Sequence, residues 1–390
     1  MKRSRFGPRT RLTPEAEQAA SLATGLSNSG CRIEDRFWEK KLVAQIDRLL
    51  ENGSEDALTA ALDHLYRANG RAYDELADVV ESRIEGRTMD IDGNACDALL
   101  IAAPLLAWSR YSIPAGPIPA DALRNISVHL QAHVLASEAR LAVADCLFSP
   151  DQLPRSYAET FRLFQELADC ATQGRSLHID PAGLPDTAQF LSDMRYVVVV
   201  VIVEKGEPLF RWQEADGTRE GAATQWRAQG GAAIFPLLPG CAAELLLPEA
   251  YHAACREADR QARPYSLRSS VLFLETALDT KPGGLRAIIA PFHDNRLEEF
   301  RVGFTLKDAP NVVHGVVWPL LDAEDEMTDI PSQIEATLRE CGVTEVQVLD
   351  HRFPLEYCDD CGAPLYPNPD GEPEHAEMPE QDQPPPMHLH

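Results

Sequence analysis

Seven residues constrain this chain more than any others. Val197 to Val203 reads Val-Val-Val-Val-Val-Ile-Val. Every one is branched at Cβ, which disfavours a helix and suits a pleated strand. Nothing polar alternates with them, so the run predicts a strand buried on both faces. As a helix it would reach only about 10 Å, against roughly 30 Å for a bilayer's hydrocarbon core. It therefore cannot cross a membrane as a helix.

The flanking chain divides by texture. Residues 1–12 read as a flexible basic arm, with Lys2, Arg3, Arg5, Arg9 and Arg11 and no acid through residue 11. Thr13-Pro14-Glu15 opens a helix: a hydroxyl cap, proline at the first position, acid in the first turn. Trp38, Leu42, Ile46 and Leu49 form the stripe of a second helix that stops near Asn52-Gly53. Ser54 is placed to cap a third, carrying Leu58, Leu62 and Leu65. Tyr73, Leu76, Val80 and Ile84 mark a fourth, ending at Gly86. Residues 13–90 thus read as a helical unit, and its short breaks favour antiparallel packing.

Residues 96–353 read as an α+β region. Pro154, Tyr157, Phe161 and Phe164 share a spacing with Pro248, Tyr251, Cys255 and Ala258, and with Pro331, Ile334, Leu338 and Cys341. Each set predicts a helix with proline in its first turn and one apolar stripe. Apolar, strand-like blocks precede each set. The first runs from Leu99 to Phe148, and the second includes "RYVVVVVIVEKGEPLFRW" and "GGAAIFPLL". The third holds "LRAIIAPFHDNRLEEFRVGFTL" and "VVHGVVWPLL". Lys205-Gly206-Glu207 and Asp294-Asn295-Arg296 read as hairpin turns. "VTEVQVLDHRF", residues 343–353, closes the last block. The expected fold class is α+β: an N-terminal helical unit, two or three repeated sheet-and-helix modules, and a zinc-knuckle tail at 354–390. From Pro367 onward proline and acid dominate, which predicts an extended, poorly packed end.

The 390 residues carry a formal net charge of −25. That charge repels nucleic acid and anionic lipid. After Arg352 there is no Lys or Arg and there are nine Asp or Glu. Nine cysteines, mostly scattered, read as reduced thiols rather than a disulfide framework. The N-terminus lacks the apolar run of a signal peptide, and the expected setting is cytoplasmic.

Against that scatter, Cys358-Asp-Asp-Cys361-Gly362 stands out. Two residues between thiols let both sulfurs reach one ion, and the glycine permits a turn that aims backbone amides at the thiolates. A redox pair would sit at a helix N-terminus. The following Ala363-Pro364-Leu365-Tyr366-Pro367 resists helix formation, which favours metal. Zinc needs four ligands. His388 and His390, in the terminal "PPPMHLH", lie at i and i+2 and would share one face of an extended segment. They complete a Cys358, Cys361, His388, His390 set. His375, in "GEPEHAEMPE", is the competitor, and a second chain is another source.

The opening "RSRFGPRTRLTPEAEQ", the knuckle "CDDCGAPLYPNPDGEPEHAE" and the terminal "HLH" together resemble a family of uncharacterised proteobacterial proteins, a domain of unknown function. The likeness spans nearly the whole chain. It implies that the knuckle and the HLH are family features and that the setting is the bacterial cytoplasm. It implies no reaction.

Other constellations carry less. His129 and His133 would share a helix face as a possible metal pair. His293-Asp294 is a candidate general-base dyad in a place where turn chemistry also belongs. His314, in an apolar strand, reads as a core histidine. Gly230-Gly231 and Gly283-Gly284 precede strand-like runs, whereas phosphate loops follow a strand and open a helix. Whether the chain is an enzyme stays open. The leading expectation is a cytoplasmic zinc-binding protein with structural zinc, acting as a binding or scaffolding module. Its partner would be an unidentified protein or a second copy, with no membrane or nucleic-acid partner expected. The alternatives are an enzyme with a pocket between modules, using His293 and Asp294, or RNA contact through the basic arm.

Overall fold

The computed structural model describes residues 12–321 and 324–379. Four helices open the described chain: α1 (Pro14–Ser27), α2 (Arg32–Glu51), α3 (Glu55–Ala68) and α4 (Gly70–Glu85). Thr13 caps α1 as expected, its hydroxyl accepting the Ala16 N–H at 3.2 Å. Ser54 occupies the cap position of α3 but makes no side-chain cap bond. Its backbone, at φ −83° and ψ 52°, is not in the extended conformation usual for a cap. Asn69 does cap α4, accepting from Ala72 N–H at 3.2 Å.

Helix α4 runs straight into a seven-stranded sheet. Its strands are β1 (Gly86–Ile91), β2 (Asn94–Trp108), β3 (Gly116–Pro117), β4 (Arg140–Phe148), β5 (Ser192–Glu204), β6 (Ala242–Leu245) and β7 (Glu249–Ala250). The order is β1-β2-β5-β4-β3, with β6 and β7 also pairing β2, and every pairing is antiparallel. The valine run lies at its centre, buried on both faces. Val198, Val200 and Ile202 share a core with Leu42, Leu58, Leu76, Val80 and Ile84 of the N-terminal helices and with Phe161 and Phe164 of α6 (Tyr157–Thr172). Val197, Val199, Val201 and Val203 face a second core with Leu123, Ile126 and Leu130 of α5 (Ala120–His133) and with Trp226.

Two stretches read as strand-like in this half are not strands. "GGAAIFPLL" is helical: after α7 (Arg219–Gln225) come a π-helical turn (Trp226–Gly230), α8 (Gly231–Ile234) and a 3-10 turn (Phe235–Leu237). A short apolar run does not distinguish a buried strand from a buried helix. Here the Trp226 and Phe235 rings lie so close over Gly230 and Gly231 that a Cβ at either would collide with them. The chain does turn at Lys205-Gly206-Glu207, but "PLFRW" does not return along β5. Phe210 instead makes an isolated bridge to Leu135.

The second sheet contains β8 (Leu285–His293), β9 (Leu297–Leu306), β10 (His314–Pro319), β11 (Glu345–Val348) and β12 (Phe353–Pro354). Its order is β10-β9-β8-β11. The β10–β9 and β9–β8 pairings are antiparallel, and β11 and β12 run parallel to β8. Asp294-Asn295-Arg296 is the β8–β9 turn, as read from the sequence. The fold is therefore α+β with two large sheets among the described residues, and the first two of the three sequence blocks merge into one of them.

Helix α9 (Tyr251–Ala277) joins the two. At 27 residues it is about 40 Å long. Ala254, Ala258 and Tyr265 belong to the first core; Leu267, Val271 and Leu274 belong to the core under the second sheet. The changeover falls between Tyr265 and Leu267, just after Pro264, whose missing N–H inside the helix permits a bend. The helix-opening prolines differ from expectation. Pro331 lies in the first turn of α10 (Ile330–Glu340), but Pro154 and Pro248 precede their helices. Ser156 provides the cap of α6 instead, accepting from Glu159 N–H at 3.2 Å.

His314 is the core histidine the sequence suggested. It is buried, packed against Phe273 and Phe304, with Nε2 3.0 Å from the Ser270 hydroxyl. Burial pushes its pKa down to about 4. Because the folded value lies below the unfolded 6.5, this group's contribution is complete above pH 6.5 and is lost as pH falls from 6.5 towards 4. The loss should be on the order of 3 kcal/mol at most. In urea titrations of the wild type and His314→Gln at pH 7.5 and pH 4.5, the wild type should lose more stability between the two pH values. Equal losses would refute this role.

Candidate metal centre

The opposite face of the second sheet carries Ala290, Phe292, Arg301, Gly303 and Gly315, the residues that alternate with its core-facing set. Residues 353–378 cover it. The Tyr366 ring lies against Gly315, and the Pro367 carbonyl against Gly303, both so close that a Cβ at either glycine would collide. Burial pushes the Tyr366 phenol up to about 12. Glu377 N–H donates to Val312 carbonyl at 2.9 Å, and Met378 packs on the core beneath. The tail expected to be poorly packed from Pro367 is thus a packed layer through residue 378. Its prolines and acids conceal a docking surface, because the complementary glycines lie far away in sequence.

Two small hairpins build this layer. In the first, Cys358 N–H donates to Ala363 carbonyl at 2.7 Å and Gly362 N–H to Cys358 carbonyl at 2.8 Å. A Tyr357–Pro364 bridge closes its base. Gly362 has φ +72°, a left-handed turn that glycine adopts without strain. This turn aims amides at sulfur as the spacing predicted. The Cys361 and Asp360 N–H groups and the Cys361 thiol hold the Cys358 thiol below its ordinary value.

The second hairpin pairs β13 (Tyr366–Pro367) with β14 (Pro373–Glu374). Asn368 shapes its tip, Oδ1 accepting from Glu372 N–H at 2.9 Å and Asp370 N–H at 3.1 Å. Its return strand brings His375 Nε2 to 3.3 Å from Cys361 Sγ. The ligand atoms of Cys358, Cys361 and His375 all lie within 4.8 Å of one another. Around one tetrahedral zinc such atoms would stand roughly 3.6–3.8 Å apart, so little movement is needed. His375 Nδ1 faces Glu377 Oε1 at 3.6 Å, the carboxylate contact common behind a ligating imidazole. Two thiols and an imidazole suit zinc by softness and charge, and three donors leave one position to fill.

Among the described residues this is the one group of three or more His, Cys, Asp or Glu placed to share an ion. His388 and His390 lie outside the described residues, as does the basic arm through residue 11. His129 and His133 stack on α5 with ring centroids 5.7 Å apart. They gain no third ligand, and burial, then His129, then Arg211 lower the His133 pKa. His293 does not form a dyad with Asp294. His293 Nε2 lies 3.9 Å from Glu326, while Asp294 accepts from the Asn295 amide at 2.7 Å within the turn. Gly283-Gly284 forms part of a 3-10 turn before β8. Nothing in the local sequence marks Glu377 as part of the site. The available signal was Asn368-Pro-Asp-Gly371, turn chemistry that reverses the chain and returns residues 373–377 past the knuckle.

A family model described as "Protein of unknown function (DUF2863)" matches residues 4–389. No curated protein and no solved structure matches the chain. Among the described residues no helix is long and apolar enough to cross a membrane.

Proposed function

The chain belongs to the DUF2863 family, whose description assigns no activity, and on that footing we propose that it is a cytoplasmic zinc protein whose metal is structural and whose role is binding or scaffolding. One observation carries this reading: two thiols and an imidazole from separate hairpins converge within 4.8 Å at the protein surface. His375 takes the place of one terminal histidine, and His388 or His390 supplies the fourth ligand. Nine residues after Pro379 reach His388 and can span at most about 30 Å, enough to return to a site on the same face. A closed four-ligand site is structural rather than catalytic.

The metal would fasten the two hairpins into one surface, with the half-exposed Tyr357 beside it. A protein partner or a second copy is the expected occupant of that surface. A net charge of −25 argues against nucleic acid.

Elemental mass spectrometry on purified, untagged protein tests the reading. About one zinc per chain is expected. It should be lost in Cys358→Ser/Cys361→Ser and in His375→Ala, and weakened when the chain ends at Met387. A wild type free of zinc after zinc-replete expression would overturn it. Full zinc retention in the chain ending at Met387 would remove the terminal histidines from the ligand set.

A further inference from the structure

Arg301 projects from the middle of β9 onto the tail-covered face, and its side chain is 0% exposed. Nε donates to Glu299 Oε1 at 2.6 Å. A single terminal nitrogen donates both to Glu356 carbonyl at 2.6 Å and to Leu365 carbonyl at 2.7 Å. Those two residues are the two sides of the knuckle's base, where Leu365 N–H meets Glu356 carbonyl at 3.4 Å. Glu356 lies two residues before Cys358, and Leu365 four after Cys361. The guanidinium stacks between rings, 4.3 Å from the Phe292 centroid and 5.1 Å from that of Tyr357. Its other terminal nitrogen is buried without a hydrogen-bond partner. A cation buried at this depth, with one donor unused, serves the two carbonyls it grips.

We propose that Arg301 is the positioning residue of the metal centre: it clamps both strands of the Cys358–Cys361 hairpin to the second sheet and so sets the affinity for metal. This rests on the metal reading above. A two-residue loop between thiols loses conformational freedom when it binds an ion, and a base already clamped has less to lose. Arginine suits the position because its planar group stacks between rings while donating in two directions, which a lysine ammonium cannot do. The linkage is reciprocal, so metal binding also tightens the tail on β9.

The test measures zinc dissociation constants for full-length wild type, Arg301→Lys and Arg301→Met by competition with a chromophoric chelator. Apo-protein stability is measured separately in excess chelator. Cobalt is then added at saturation to read the thiolate-to-metal charge-transfer band. We expect 10- to 100-fold weaker zinc binding in Arg301→Met, in the range for residues behind a metal ligand, and a smaller loss in Arg301→Lys. The cobalt spectrum at saturation should match the wild type, because the ligands are unchanged. Should Arg301→Met fail to fold, Arg301→Lys carries the measurement. Wild-type zinc affinity in a folded variant, with only the apo stability lowered, would reduce Arg301 to a packing residue and overturn the proposal while leaving the metal reading intact. Absence of zinc and cobalt binding in the wild type would overturn both.

Discussion

With zinc on Cys358, Cys361 and His375 as proposed, stripping it with a chelator is expected to loosen residues 356–376 from the second sheet while β5 stays protected from hydrogen exchange. The two regions are held by different forces. The valine run of β5 lies between two apolar cores and needs no ion to stay folded. The tail hairpins use strands of only two residues, and Cys361 and much of the first hairpin are exposed. Such elements cannot offset their ordering entropy by backbone pairing alone. Zinc bound to cysteine and histidine in small domains is worth an apparent 10–16 kcal/mol, and that energy is shared with folding the ligand-bearing segment. Hydrogen exchange with mass-spectrometric readout, with and without chelator, should show protection lost across the two hairpins and unchanged along Tyr196–Val203. Identical protection in both states would mean that Tyr366, Gly303 and Gly315 hold the tail without metal.

Replacing Arg195 with Met is expected to cost about 3–5 kcal/mol, the usual penalty when one partner of a buried ion pair is removed. Arg195 is 1% exposed at the start of β5. It pairs with Asp193. Nε donates to Pro114 carbonyl at 2.8 Å, one terminal nitrogen to Met194 carbonyl at 2.6 Å, and the other to Ile113 carbonyl at 2.6 Å. One guanidinium thus ties the 113–114 segment to the central strand and neutralises a carboxylate whose pKa burial has already raised. Methionine keeps most of the length and none of the donors, leaving Asp193 and three carbonyls without their partner. Urea unfolding followed by intrinsic fluorescence measures the loss. A change below about 1 kcal/mol would show that water or a local shift satisfies these groups.

Much of the fold is legible in residue order because it depends on local chemistry. The cap at Thr13, the apolar stripe through Leu76, Val80 and Ile84, and the turn at Asp294-Asn295 are each decided within a few residues. The valine run declares its own environment, since no half-exposed strand tolerates it. The same holds for half of the candidate metal centre: the two thiols two residues apart and the glycine that takes the left-handed turn after them are a local pattern.

Only the tertiary structure decided the rest. "GGAAIFPLL" is apolar enough for strand or helix, and the packing of Trp226 and Phe235 across adjacent glycines selects helix. Three similar sequence blocks became two sheets because β5 pairs with both β2 and β4, a choice made by strands about a hundred and about fifty residues away. His375 joins the thiols because Gly303 and Gly315, more than fifty residues upstream, leave room for the hairpin that carries it. Arg301 is invisible as part of the site for the same reason: its partners are backbone carbonyls, which every residue possesses. Side-chain identity sets what a segment can bury or bind. Which distant segment supplies the complementary space is a property of the folded chain alone.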